Sequence, residues 1–115
     1  MDLILFGIQG SGKGTQAKII AEKYNMLIFE TGKELRKVSE EQTPIGNKIN
    51  DLINNGKLVS DDIIMEMLAE FLKNISNDQK IIFDGIPRTL NQKKLFDQTL
   101  NKAGRTFLAI ELQVE

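Results

Sequence analysis

The sequence predicts an α/β fold: a parallel β-sheet flanked by helices, with a small helical insertion. Three observations lead there. Short runs of continuous apolar residues alternate with stretches whose apolar residues recur at helical spacing. The short runs are apolar throughout, as in strands covered on both faces. Strand–helix alternation of this kind requires crossover connections, which make the strands parallel and the connections right-handed.

Taken in order, Leu3 to Phe6 is the first apolar run, and it ends at Gly7. Ala17, Ile20, Ala21 and Tyr24 follow at helical spacing, and Met26 to Phe29 reads as a second strand. Thr31-Gly32 reopens a helix that should run to about Gln42. Pro44 suits the first turn of the next helix, where Ile45, Ile49, Leu52 and Ile53 form one face that closes near Gly56. These two helices break the alternation and mark the insertion. Ser60, with Asp61 and Asp62, is a helix N-cap ahead of Ile63, Ile64, Met67, Leu68, Phe71 and Leu72. Met65, Met67 and Phe71 read as core. Ile81 to Phe83 is a third strand, Leu90 to Lys102 a helix stopped by Gly104, and Phe107 to Val114 a last strand. The expected organisation is a core over residues 1–29, an insertion over 30–59 and a continued core over 60–115.

Composition excludes several chemistries. The chain has 115 residues, 41% hydrophobic and 27% charged, which suits one globular domain. It contains no cysteine and no histidine, so disulfides, thiolate or imidazole metal sites and serine–histidine triads are ruled out. A net charge of −1 gives no electrostatic reason to bind nucleic acid or an anionic membrane. No apolar run is long enough for a signal peptide or a membrane span, so a cytoplasmic protein is expected.

The chemistry begins at Gly7-Ile8-Gln9-Gly10-Ser11-Gly12-Lys13-Gly14-Thr15, after a strand and at the start of a helix. That is the setting of a phosphate loop, in a P-loop NTPase-type sheet. Glycines let successive backbone N–H groups turn towards phosphate oxygens, the helix N-terminus adds partial positive charge, and Lys13 adds a full one. Gly10, Ser11, Gly12, Lys13, Gly14 and Thr15 are thus the candidate ATP-binding residues. Gly14 stands where a Mg²⁺-binding hydroxyl usually follows the lysine, with Thr15 one place later. Asp84, at the end of the third strand, is placed to hold Mg²⁺ through water. Its neighbour is Gly85 and not a second carboxylate, which favours phosphoryl transfer over hydrolysis.

The spacing around Lys13 resembles that of nucleoside monophosphate kinases, and adenylate kinases in particular. Asp84-Gly85-Ile86-Pro87-Arg88-Thr89 resembles that family's Asp-Gly-Phe-Pro-Arg-Thr, with Ile86 for Phe. Thr31-Gly32-Lys33-Glu34-Leu35-Arg36 resembles its Thr-Gly-Asp-x-Leu-Arg, with Lys33 for Asp. The resemblance implies that Arg36 and Arg88 hold the AMP phosphate, and that Thr31, Gly32, Gly85 and Gln92 meet AMP. It implies that Lys57, Leu58 and Val59, after Gly56, cover the adenine. Lys13, Asp84 and Arg88 would carry catalysis, with Mg²⁺ accompanying ATP and no structural metal in the protein. Two of only three arginines fall on these motifs, against twelve lysines. A guanidinium can grip phosphate bidentately, which an ammonium cannot. Arg105 matches no catalytic position.

The implied reaction is reversible phosphoryl transfer from Mg·ATP to AMP, by a protein that is a monomer at full length. A cytidylate or uridylate kinase, or a non-catalytic nucleotide-binding fragment, remain as alternatives, while a regulatory GTPase is disfavoured by Gly14. The resemblance runs from Met1 to Glu115 but matches only the N-terminal part of the family's length, ending before the lid. The segment alone is therefore expected to bind nucleotide and turn over slowly.

Overall fold

A computed structural model describes residues 1–7 and 12–111. Its strands are β1 (Asp2–Phe6), β2 (Leu27–Glu30), β3 (Ile81–Asp84) and β4 (Phe107–Glu111). Its helices are α1 (Lys13–Tyr24), α2 (Thr31–Ser39), α3 (Pro44–Asn54), α4 (Asp61–Lys73) and α5 (Leu90–Lys102). The strands form one parallel sheet in the order β2-β3-β1-β4, so β1 is interior and β4 lies at an edge. The expected end of the last strand, at Val114, lies outside the described residues.

The apolar runs are continuous because both sheet faces are covered. Side chains alternate along each strand, and Leu5 and Ile82 pack with Ala17 and Ala21 of α1 on one face. Ile4, Phe29 and Phe83 point to the other, where α4 and α5 cover them. An aromatic ladder crosses that second face in the sequence Phe71, Phe29, Phe83, Phe96, Phe107, with centroid spacings of 5.1, 5.9, 5.0 and 5.6 Å. Five of the six phenylalanines thus tie three strands to two helices. Met65 and Met67 are buried in the same cluster, with Phe71 packed against it, as their spacing predicts.

Cap chemistry sets the helix starts. Thr43, Ser60 and Thr89 each accept a hydrogen bond from the backbone N–H three residues on, and Pro44 occupies the first turn of α3. Helix α2 stops at Ser39, short of Gln42, because the N–H groups of Glu40 and Glu41 bond three residues back and tighten the last turn. There α3 comes close: a Cβ on Gly46 would lie 2.5 Å from the Val38 carbonyl and 2.4 Å from that of Glu41. Only glycine permits this approach.

Two expectations need correction, and a third residue gains a role. Strand β2 begins at Leu27 and takes in Glu30, one residue later than its apolar run suggests, because its register follows β3 from Leu27↔Ile81 to Glu30↔Asp84. Tyr24 and Ile53, placed on buried helical faces by spacing, are 62% and 45% exposed. Both lie at the C-terminal ends of their helices, beyond the neighbouring packing. Arg105, which matched no catalytic position, is built into the fold. Its guanidinium donates to both oxygens of buried Asp2 at 3.1 and 3.2 Å, to Gln79 O at 3.0 Å and to Ser76 O at 3.1 Å. No helix among the described residues is long and apolar enough to cross a membrane.

Candidate functional site

The connections leaving β1 and β3 run to opposite faces of the sheet, β1 into α1 and β3 towards α5. Between two such adjacent strands a crevice opens beyond their carboxyl ends, the usual place for a ligand in an open α/β sheet. Here Lys13, the first residue of α1, meets Asp84, the last of β3, in an ion pair whose side chains are 16% and 12% exposed. They are 71 positions apart in the sequence. The parallel register Leu5↔Asp84 sets the carboxylate near the start of α1.

A cleft of about 610 Å³ surrounds this pair. Its cationic lining is Lys13, Lys18, Lys33, Arg36 and Arg88, and its carboxylates are Glu30 and Asp84. Five cations against two anions leave a surplus of three positive charges in a chain whose net charge is −1. Gly12, Gly14, Thr15 and Gly85 complete the parts that the sequence singled out. Gly12 is the residue before α1, with φ +84° and no side-chain cap, so the first N–H groups of the helix face the cleft without an internal acceptor. Gly10 and Ser11 lie outside the described residues. A smaller neighbouring hollow of about 250 Å³ shares Lys13, Gly85 and Arg88, so these residues separate two compartments.

Local geometry explains two further positions. Gly85 has φ +83°, and a Cβ there would sit 3.1 Å from Arg88 Nη2, so the glycine seats the guanidinium as well as the turn. Glu30 caps α2 by accepting from Gly32 N at 2.9 Å, and a Cβ on Gly32 would meet its Oε1 at 2.9 Å. Thr31 Oγ1 is buried and has no hydrogen-bond partner among the described residues.

Other predicted residues lie outside the cleft. Gln92, in the first turn of α5, is hydrogen-bonded to Asp61 and to the Arg88 backbone. Lys57, Leu58 and Val59 link α3 to α4, with Lys57 N closing α3 onto Leu52 O, Leu58 94% exposed and Val59 packed on the core. Sequence reasoning missed Lys18, Lys33 and Glu30 as lining residues. Lys18 carried no signal beyond an exposed helical lysine. Glu30 was readable as an acidic residue ending a strand just before a helix.

The adenylate kinase family profile matches residues 5–115. The chain belongs to the adenylate kinase family. It is 42% identical to an adenylate kinase of Pelagibacter ubique over 92% of this chain and 50% of that protein. It is 38% identical to one of Parabacteroides distasonis over 100% of this chain and 61% of the relative. It is 44% identical to one of Mycoplasma mycoides over 88% and 46%. The chain thus spans about half the length of the curated adenylate kinases it matches, and the cleft described above lies within that half.

Proposed function

We propose that the chain binds ATP and AMP across this cleft and carries the nucleotide-positioning part of reversible phosphoryl transfer giving two ADP. The observation that supports this most strongly is the surplus of three positive charges around Lys13 and Asp84, at the carboxyl ends of β1 and β3. Low-dielectric walls lined by one sign of charge focus the field, so a polyanion is concentrated there. In this reading Gly10 to Thr15 receive the triphosphate, with Lys13 near its β- and γ-phosphates. Residues 30–59 form the acceptor insertion, in which Arg36 joins Arg88 on the AMP phosphate. Thr31 and Gln92 meet the base, Gly32 and Gly85 admit close approach, and Lys57 to Val59 cover it.

An oxygen of the acceptor phosphate forms the new bond to the γ-phosphorus, and the bond from that phosphorus to the β-bridging oxygen breaks as ADP departs. The acceptor is already ionised, so no side chain need remove a proton. Catalysis is therefore positioning plus charge stabilisation by Lys13, Arg36 and Arg88. The residues fit Mg²⁺ carried with ATP. Asp84 offers a hard carboxylate, and it lines the cleft beside Lys13. Because Mg²⁺ usually keeps several waters and is bound by one or two carboxylates with substrate phosphates, Asp84 alone would suffice to hold it. When bound, it supplies neutralisation of phosphate charge. A monomer in the cytoplasm, where both nucleotides are abundant, completes the reading.

The test is calorimetry with AMP, CMP, UMP and ATP on the wild type and on Arg36→Lys. The lysine keeps the charge and loses the fork, and a charge-assisted hydrogen bond contributes about 1.5–3 kcal/mol. AMP affinity should fall roughly tenfold or more, with ATP affinity unchanged. The reverse pattern would show that the pocket has been assigned to the wrong nucleotide, and tighter binding of CMP or UMP would move the acceptor to a pyrimidine.

A further inference from the structure

The side-chain amide of Gln92 is held between two groups of opposite hydrogen-bonding character. Its Nε2 donates to Asp61 Oδ1 at 2.9 Å, and its Oε1 accepts from the Arg88 backbone N–H at 2.8 Å. An ionised carboxylate only accepts and a backbone N–H only donates. Turning the amide over would set oxygen against oxygen at Asp61 and N–H against N–H at Arg88. One orientation remains. Asp61 is itself fixed, because its Oδ2 accepts from Asn91 Nδ2 at 2.8 Å and it stands in the first turn of α4, where the helix dipole favours an anion. The hydrogen bonds from Asn91 and then Gln92 hold its carboxyl below the usual aspartate value, so it is ionised at neutral pH.

With those two bonds made, Gln92 retains one N–H on Nε2 and one lone pair on Oε1. They are one donor and one acceptor on the same planar amide, in an order fixed by Asp61 and the Arg88 N–H. A 6-aminopurine offers the complementary pair, an amino donor beside the ring N1 acceptor. A 6-oxopurine offers the same two functions in reverse, an O6 acceptor beside an N1–H donor. With the phosphate anchored by Arg36 and Arg88, the base cannot turn over to restore the match.

We infer that Asp61 is a specificity-determining positioning residue: by orienting the Gln92 amide it selects a 6-aminopurine over a 6-oxopurine monophosphate. This rests on the acceptor pocket proposed above, in which Gln92 meets the base. Asp61→Asn replaces an obligatory acceptor by an amide that can present either group, and Asp61→Ser does so with a hydroxyl suited to a helix N-terminus. Calorimetry with AMP, IMP and ATP is run on both variants and on Gln92→Ala, each checked by thermal melting. In both Asp61 variants the AMP-over-IMP preference should fall about tenfold, with ATP affinity unchanged. A purely structural role would weaken AMP and IMP in proportion, and an unchanged ratio overturns the inference. If Gln92→Ala also leaves the ratio unchanged, the underlying pocket fails with it. If Gln92→Ala abolishes the preference while the Asp61 variants keep it, only the role of Asp61 is lost.

Discussion

Arg105→Met separates the one arginine that serves the fold from the two that face the cleft. The Arg105 side chain is 6% exposed and that of Asp2 1%, so neither charge has water to fall back on. Arg105 contributes four hydrogen bonds between 3.0 and 3.2 Å. Asp2 also accepts from Ile81 N at 3.0 Å, which pins the start of β3 to the start of β1. Methionine keeps most of the volume but strands the carboxylate and leaves the Gln79 and Ser76 carbonyls without their donors. Breaking one side of a buried pair costs about 3–5 kcal/mol, a large part of the roughly 5–15 kcal/mol that holds a domain together. Urea titration should show the midpoint falling with an unchanged slope. The double variant Asp2→Asn/Arg105→Met should recover part of the loss, since the introduced amide carries no charge and can still accept from Ile81 N. Nucleotide affinity of the folded Arg105→Met protein should equal that of the wild type. A loss below about 1 kcal/mol, or a double variant no better than the single, would refute the picture of a dry, mutually dependent pair.

Gly14→Ala tests the glycine-rich segment at the start of α1 without damaging the fold. A Cβ there meets no atom of the described residues within 4 Å, and alanine favours the helix by up to about 1 kcal/mol, so the melting temperature should hold or rise while ATP affinity falls. Undiminished ATP binding would mean that the open space is not where phosphate sits. Thr31→Val removes a hydroxyl that is buried without a partner among the described residues, so stability should be unchanged or improved while AMP binds more weakly. Equal AMP affinity would detach Thr31 from the base. Glu34→Gln addresses pH: burial, aided by Glu41 and Glu30 and opposed by Lys37, raises the Glu34 carboxyl above its usual value. The native state then holds its proton more tightly than the unfolded chain, so this group's contribution to stability falls as pH rises from the ordinary glutamate value through the raised one. Urea titrations between about pH 4 and pH 8 should show the glutamine variant gaining on the wild type as pH rises, and parallel curves would refute the assignment.

What was legible in the sequence were features whose cause is local. Continuous apolar runs revealed strands covered on both faces, and Ser60, Pro44 and Gly104 marked helix ends because capping acts within a few residues. The glycine spacing around Lys13 was legible as a short local pattern at the start of α1. The end of α2 was not, since it depends on α3 arriving at Gly46 with two carbonyls in the way. Exposure of Tyr24 and Ile53 was equally hidden, because periodicity gives a face and says nothing of how far the neighbouring element extends along it.

The site shows the same division more sharply. Lys13, Arg36 and Arg88 could be named from motifs, yet a motif carries no information about which anion will stand opposite. Asp84 is brought to Lys13 by the pairing of β1 with β3, and Glu30 is set beside Asp84 by the pairing of β2 with β3. Both carboxylates therefore sit at strand ends, where sheet register fixes them more firmly than a loop could. That placement bears on how the cleft can work. Without compensation, five convergent cations would repel one another and weaken the folded state. Two carboxylates relieve part of that repulsion and leave a surplus of three positive charges, the feature on which the proposed polyphosphate binding rests. Lys13 is already held by Asp84, so in the proposed function its arrival at a phosphate would exchange one anionic partner for another and require little ordering of a free side chain. Preorganisation of this kind needs both strands in register. For that reason the proposed function depends on β1 and β3 lying side by side, and not on the glycine-rich segment alone.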